Sequence, residues 1–534
     1  MTQNAQSGLR LRAALFDMDG VVTDTARAHA AAWKRLFDEH LRRRADRLHE
    51  QFKPFDPRGD YREYVDGKPR GDGIRSFLES RGIELPTGDM DDGPDEETVC
   101  GLGNRKDRYF HEWLEANPVR AYPGTLRLLE DFRAAGIPSA VFSSSRNAEA
   151  VLRSAGVLER FDARVDGEDR AQLDIPGKPA PDMLLEAARR LGAKSGDCVV
   201  FEDAIAGIEA AVGGDFGLAV GVARDDGEAA LKEAGAEIVV NDLSELHFDP
   251  ETGLTVKTLT NLPMAWDGRD RIKRSLGGRT PAAFLDYDGT LTPIVEDPDR
   301  ALLDASMRAT LKALARACPV VIVSGRDLAR LRELVGLDGV WYAGSHGFEI
   351  VGPGGKQQGL TMGEEFLPEL DKAEQTLEER LAGIEGHTLE RKRFSIAVHY
   401  RRVAEEEVSR VESVVQEVLE AHPGLYRGTG KKVFELRPDI DWDKGRAVLW
   451  LLERFNADAG GAQECVPIYI GDDITDEDAF HVLAGSGLCV AVRGEEIRRT
   501  AADYTLADTG EVERFLRWLT GIAGGSEANE EGGQ

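Results

Sequence analysis

Short apolar runs that stop on a carboxylate or a hydroxyl punctuate this chain, and they come in two matching series. Ala13-Ala14-Leu15-Phe16 runs into Asp17, Ala140-Val141-Phe142 into Ser143, and Cys198-Val199-Val200-Phe201 into Glu202-Asp203. The second series is Ala282-Ala283-Phe284-Leu285 into Asp286, Val320-Val321-Ile322-Val323 into Ser324, and Val466-Pro467-Ile468-Tyr469-Ile470 into Gly471-Asp472-Asp473. Runs this short, rich in β-branched side chains and followed by helical patterns such as Glu149 to Gly156, predict parallel strands buried on both faces. In open α/β sheets the ligand site lies beyond the carboxyl ends of the strands, so the polar residue closing each run is an active-site candidate by position. Any single one could instead cap the helix that follows. The same order occurring twice argues for a chemical role.

The repeat predicts two α/β units, residues 10–245 and 279–522, joined by a linker at 246–278 that contains Pro263 and the pair Gly277-Gly278. The tail, 523–534, is rich in Glu and Gly and is expected to be disordered. A long insert lies between Asp24 and Pro118 in the first unit, directly after the first strand. In the second unit the extra sequence, 345–437, falls after the Ser324 run. Inserts at different points imply two different caps over two similar cores, and so two substrates. The acidic stretch Asp89 to Glu97, broken by Gly93 and Pro94, reads as an exposed loop.

Length and charge narrow the picture. The 534 residues suit two to four domains, and the 41% hydrophobic content suits packed cores. A net charge of −29 disfavours nucleic acid or an anionic membrane as the main partner. It does not exclude a small anionic substrate held by local Lys, Arg and backbone N–H groups. The five cysteines are scattered, with no CxxC pair, so neither a zinc ribbon nor a disulfide framework is expected. No apolar run approaches the ~20 residues of a membrane span, and the polar start, Met1 to Arg12, does not read as a signal peptide. A cytoplasmic setting is the expectation; nothing points to a protein partner.

Each unit opens with Asp-x-Asp-Gly: Asp17-Met18-Asp19-Gly20 and Asp286-Tyr287-Asp288-Gly289. A carboxylate fixed at a strand end can attack phosphorus and split one hard displacement into two easier ones. A second carboxylate can protonate the leaving oxygen and later deprotonate the incoming hydroxyl. Ser143 and Ser324 can hold phosphate oxygens, and Lys178 and Lys444 can offset the charge of the phosphoryl group. Carboxylates clustered this way repel unless a cation sits among them. Mg²⁺, one per unit, suits such oxygen ligands. Asp-x-Asp-Gly alone is common in turns and calcium loops. The ordered set of Asp-x-Asp, Ser, Lys and an acidic pair is far more specific.

That ordered set, present twice, resembles the haloacid dehalogenase superfamily of phosphotransferases over nearly the whole chain. The resemblance implies two Rossmann-like cores, the first with a helical cap after strand one, the second with an α+β cap between the Ser and Lys motifs. It implies Asp17 and Asp286 as nucleophiles, Asp19 and Asp288 as acid/bases, and Ser143, Ser324, Lys178 and Lys444 as the second and third motifs. The implied metal ligands are Asp17, Asp19, Glu202 and Asp203 in the first unit, and Asp286, Asp288, Asp472 and Asp473 in the second.

The second unit carries Ser324-Gly325-Arg326, Gly344-Ser345-His346-Gly347 and Gly471-Asp472-Asp473-x-Thr475-Asp476-Glu477-Asp478. Its cap carries Glu390-x-Lys392, Ser395-x-Ala397-x-His399-Tyr400-Arg401, Gly430-Lys431 and Glu435-x-Arg437-Pro438. Together these resemble the trehalose-6-phosphate phosphatases. The resemblance implies sugar and phosphate contacts from Arg326, His346, Glu390, Lys392, Arg401, Lys431 and Glu435. The first unit resembles the β-phosphoglucomutase-like branch through His29, Trp33, Lys178-Pro179-Ala180-Pro181-Asp182 and Glu202-Asp203-Ala204-x-Ala206-Gly207. There His29, Arg70 and Lys106 are the implied substrate contacts, while extra residues from Leu85 to Gly103 depart from the usual cap. The first unit can be a mutase, a phosphatase or a sugar-phosphate sensor, and the second can act on another sugar phosphate. The expected partners are small sugar phosphates.

Overall fold

The computed structural model describes residues 11–524 except 58, 66–67, 118, 225–226, 296–299, 356–358, 431, 459–463 and 495–496. The chain divides into two units, Met1–Val256 and Lys257–Gln534.

In the first unit the apolar runs become β1 (Ala13–Asp17), β2 (Ser139–Phe142), β3 (Ala163–Val165), β4 (Cys198–Glu202), β5 (Leu218–Val222) and β6 (Ile238–Val240). They form one parallel sheet in the order β3-β2-β1-β4-β5-β6. Every residue of β1, β2, β4 and β5 is buried, because helices cover both faces. The strand order reverses at β1, which creates the crevice where ligands bind in such sheets. Asp17 pairs in register with Phe142, so Ser143 follows at the same height.

The first insert folds as helices α1 (Ala26–Leu48), α2 (Arg70–Ser80) and α3 (Val99–Ala116). Trp33, Phe37, Phe55 and Phe77 pack together in their core, with ring centroids 4.1 to 5.2 Å apart. The acidic loop before α3 is mostly exposed. It is tied down at Arg105, a fully buried side chain whose Nε donates to Pro94 O at 2.5 Å.

The segment expected to be a linker is structured throughout. Its first part forms the hairpin β7 (Leu246–Asp249) and β8 (Gly253–Val256), with Phe248 against Phe132 of the first unit at 4.7 Å. From Lys257 onward it belongs to the second unit. Buried Lys257 donates to the carbonyls of Ala501 and Ala502, each at 2.8 Å, and the helix Arg269–Leu276 buries Ile272 and Leu276 in the second core.

The second core is an eight-stranded sheet. Its strands are β9 (Pro281–Asp286), β10 (Val320–Val323), β11 (Trp341–Gly344), β12 (Glu349–Val351), β13 (Leu360–Thr361), β18 (Val466–Gly471), β19 (Leu488–Val492) and β20 (Tyr504–Leu506). The order is β13-β12-β11-β10-β9-β18-β19-β20, again reversing at the strand that ends in the first aspartate. The early part of the second insert therefore extends the core, β12 and β13 being antiparallel additions to its edge. The cap proper is an antiparallel sheet ordered β14-β15-β17-β16, built from β14 (Thr388–Lys392), β15 (Ser395–His399), β16 (Leu425–Gly430) and β17 (Val433–Pro438). The helices Leu367–Leu381 and Glu405–Ala421 cover one face through Leu370, Leu377, Val411 and Val415. All five cysteines are free, and no helix among the described residues is long and apolar enough to cross a membrane.

Candidate active sites

At the carboxyl end of β9, Asp286 is buried beside Lys444, whose Nζ donates to Asp286 Oδ1 at 2.8 Å and to Asp476 Oδ1 at 2.7 Å. Tyr469 Oη donates to the same Asp476 oxygen at 2.7 Å. Burial, with the charges of Asp476 and Asp472 close by, raises the pKa of Asp286 well above the carboxylate range. Burial, with the charges of Asp476 and Asp473, pushes Asp472 up to about 7. The Lys444 pKa is raised as well: burial would lower it, but the flanking carboxylates Asp286 and Asp476 outweigh that and hold the ammonium charged.

Asp286, Asp472 and Asp476 bring carboxylate oxygens within 4.8 Å of one another, and Asp472 Oδ1 is buried with no hydrogen-bond partner among the described residues. A hard divalent cation fits this set: it would take the orphaned oxygen and remove the repulsion that lifts these pKa values. Asp473, expected among the ligands, stands apart. Its carboxylate accepts from Ile474 N at 2.7 Å and starts the turn that brings Asp476 inward.

Asp288 is also outside the cluster. Arg326 holds it in a two-pronged ion pair, Nε to Oδ2 and Nη2 to Oδ1, each 2.7 Å. Arg326 therefore faces Asp288, the expected acid/base, in this structure. Ser324 Oγ accepts from Arg326 N at 3.2 Å, which shapes the loop beyond β10.

Over this floor sits the inner edge of the cap. Buried Glu435 accepts from Ser395 Oγ at 2.7 Å, Lys392 Nζ at 3.5 Å and Arg437 Nε at 3.1 Å. Arg437 also reaches down to His346 of the core at 2.8 Å. Glu390 pairs instead with His399 at 2.8 Å, a bond that lowers its pKa. Arg401 lies exposed in the turn after β15, and Lys431 is outside the described residues. A second tie between cap and core comes from Arg393 in the β14–β15 turn. Its N–H donates to Asp327 at 3.1 Å, and its guanidinium pairs with Glu349 and, at 2.8 Å, with Glu364.

The first unit repeats the floor with different neighbours. Lys178 bridges Asp17 and Glu202. Asp17, Glu202 and Asp203 form the carboxylate cluster that could hold a cation. Burial, together with the charges of Glu202 and Asp19, raises the Asp17 pKa. Asp19 again lies outside the cluster. It accepts from Thr25 Oγ1, and from Ser143 Oγ at 3.3 Å, with His29 Nε2 3.6 Å away.

Above it Lys106 Nζ donates to His29 Nδ1 at 2.9 Å. Arg70 pairs with Asp107, which also accepts from Asn147 at 3.4 Å. Sequence reasoning named Arg70 but missed Asp107 and Asn147. The only signal was that Asn147 lies four positions after Ser143 on the loop leaving β2.

Lys106 is 4% exposed, and burial pushes its pKa down to about 8. A depressed lysine binds its proton more weakly in the folded than in the unfolded chain. Stability from this group therefore rises as pH climbs from about 8 to 10.5. Replacing it by methionine removes a charge whose burial costs about 3 kcal/mol at neutral pH. Lys106→Met is expected to raise the melting temperature of the first unit at pH 7 and to abolish its gain in stability between pH 8 and 10. Calorimetry of both proteins across that range checks both effects.

Comparison with known proteins follows the same division. The family model for trehalose-phosphatase matches residues 284–509, and the model for haloacid dehalogenase-like hydrolase matches residues 11–215. A trehalose-phosphate phosphatase of Mycobacterium leprae is 39% identical over 407 residues, covering 74% of this chain and 91% of the relative. The chain belongs to the trehalose-phosphatase family. An N-terminal haloacid dehalogenase-like hydrolase domain precedes its trehalose-phosphatase domain. An uncharacterized glycosyl hydrolase of Mycobacterium tuberculosis is 40% identical over 514 residues, 95% of this chain. The chain spans only 38% of that relative's length. A solved structure of a β-phosphoglucomutase from Clostridium difficile is 27% identical, with a TM-score of 0.35, covering 45% of this chain and 94% of its own.

Proposed function

We propose that the trehalose-phosphatase domain hydrolyses trehalose 6-phosphate to trehalose and phosphate through an aspartyl-phosphate at Asp286. The observation that carries this reading is the pairing of a buried Asp286–Lys444–Asp476 floor with a cap edge of Glu435, Lys392 and Ser395 clasped over it. One Asp286 oxygen attacks phosphorus as the bond to the sugar's 6-oxygen breaks. Asp288 gives its proton to that oxygen, then takes one from water as the water attacks phosphorus and frees Asp286. Asp288 must leave Arg326 to do so, and an arriving phosphate offers that guanidinium another anion to pair with. Lys444 stays charged throughout, and Ser324 donates to a phosphoryl oxygen. Mg²⁺ bound by Asp286, Asp472 and Asp476 would supply further charge neutralisation for the phosphoryl group.

A disaccharide with many hydroxyls suits a cap edge that mixes acceptors and donors. The test is phosphate release by the full chain carrying Asp17→Asn, offered trehalose 6-phosphate, glucose 6-phosphate and sucrose 6-phosphate. Trehalose 6-phosphate is expected to be strongly preferred. Equal turnover of glucose 6-phosphate would overturn the substrate assignment.

For the first unit we propose phosphoryl transfer on a sugar phosphate, with Asp17 as nucleophile and Asp19 as acid/base. The support is a complete floor, Asp17, Lys178, Glu202 and Asp203, which a pure sensor would not need. Full chain carrying Asp286→Asn, given β-glucose 1-phosphate and a trace of glucose 1,6-bisphosphate, reads it directly. Isomerisation identifies a mutase and phosphate release a phosphatase, while binding without either would sink the proposal.

A further inference from the structure

His346 stands on the turn that follows β11, between the loop beyond β10 and the cap. Both Ser345 and His346 hold left-handed backbone, with φ of 49° and 57°. Two successive non-glycine residues in that region are strained, and such strain gathers at functional sites. The turn is held by Ser345 N donating to Arg326 O at 2.7 Å and His346 N to Ser324 O at 2.9 Å. The ring is thereby pressed onto the loop itself, since a Cβ on Gly325 would come within 2.6 Å of His346 Nε2.

Arg437 approaches from the cap, its Nη2 2.8 Å from His346 Nε2. A guanidinium only donates, so Nε2 must accept, and the ring proton sits on Nδ1. Burial, then the Arg437 charge, push the His346 pKa well below its ordinary value, so the ring is uncharged at neutral pH. Its Nδ1 is buried and has no hydrogen-bond partner among the described residues. A buried donor left unpaired is costly, and protein interiors seldom tolerate one.

We propose that Arg437 is a positioning residue that fixes His346 as the Nδ1–H tautomer, and that this N–H donates to a hydroxyl oxygen of the sugar held between core and cap. The substrate half rests on the sugar-phosphatase reading above; the tautomer half does not. Arg437 is itself aligned by Glu435, which accepts from its Nε at 3.1 Å and from Ser395 at 2.7 Å. One continuous chain of hydrogen bonds thus runs from the cap sheet to the ring that meets the ligand.

Two measurements on the full chain test this. The imidazole nitrogen spectrum of ¹⁵N-histidine-labelled protein, assigned by the signals lost in His346→Asn, is expected to show the proton of His346 on Nδ1. In Arg437→Met it should move toward a mixture of tautomers. A proton on Nε2 in the parent chain overturns the proposal, and this readout needs no substrate; if His346→Asn does not fold, triple-resonance assignment of the parent chain identifies the ring instead.

The second measurement compares His346→Asn with His346→Gln. The Asn amide nitrogen falls near the imidazole Nδ1, and Asn tolerates left-handed backbone. The Gln amide falls near Nε2. The KM for trehalose 6-phosphate is expected to stay within about threefold in the Asn variant and to rise about tenfold in the Gln variant and in Arg437→Met, with kcat moving less. Equal KM values for Asn and Gln overturn the donor role. If the substrate panel selects another sugar phosphate, the same pair is compared on that compound, so a wrong substrate and a wrong donor give different results.

Discussion

Asp286→Asn is expected to lower phosphate release from trehalose 6-phosphate by about 10⁴-fold or more, the scale seen when a covalent nucleophile is removed. It is also expected to raise the melting temperature in chelator by about 2–4 °C. Both effects follow from one environment. Asp286 is buried, and its ionised form is opposed by loss of water and by Asp476 and Asp472. An amide of the same shape drops that charge, while Lys444 keeps its other partner, Asp476, at 2.7 Å. The carboxylate proposed as nucleophile is thus held at a cost to stability, as is common at active sites. Steady-state phosphate release and calorimetry with EDTA check the two halves. A variant that keeps turning over would remove Asp286 from the mechanism, and one that melts lower would contradict the electrostatics described here.

Gly289→Ala should do the most damage for the smallest change. Gly289 sits at φ +82°, where side chains are disfavoured, and a Cβ there would lie 2.1 Å from Asp472 Oδ2. The Asp472 carboxylate must shift. Magnesium affinity is expected to fall by about 10- to 100-fold, with turnover partly recovered at saturating metal. Titration calorimetry with Mg²⁺ reads the affinity, and an unchanged dissociation constant would refute the ligand role of Asp472. Gly20→Ala is the matching change in the first unit, with φ +76° and Asp203 Oδ2 1.8 Å from the new carbon. It should leave trehalose 6-phosphate hydrolysis untouched.

Much of this was legible in the sequence because it is dictated locally. A run such as Val320 to Val323 can only be a doubly covered strand, and the residue after it must emerge at the sheet's carboxyl edge. What stayed hidden depends on how loops turn. Asp473 and Asp476 are equally acidic on paper, yet the turn that Asp473 caps delivers Asp476 to the cluster. β12 and β13 looked like cap because they follow the Ser motif, but antiparallel pairing of β12 with β11, and of β13 with β12, annexes them to the core. Arg326 looked like a substrate contact, and only three-dimensional proximity shows it holding Asp288. Asp107 and Asn147 come from different elements, and no spacing rule joins them.

The buried ammonium of Lys257 sets where the chain can be cut. Its bonds to Ala501 and Ala502 come from a stretch that composition alone would discard as connector. A recombinant C-terminal piece begun at residue 279 would leave those two carbonyls without their donor and strip Ile272 and Leu276 from the hydrophobic interior. An autonomous version of that half has to start ahead of Lys257, and limited proteolysis should spare the whole interval up to β9.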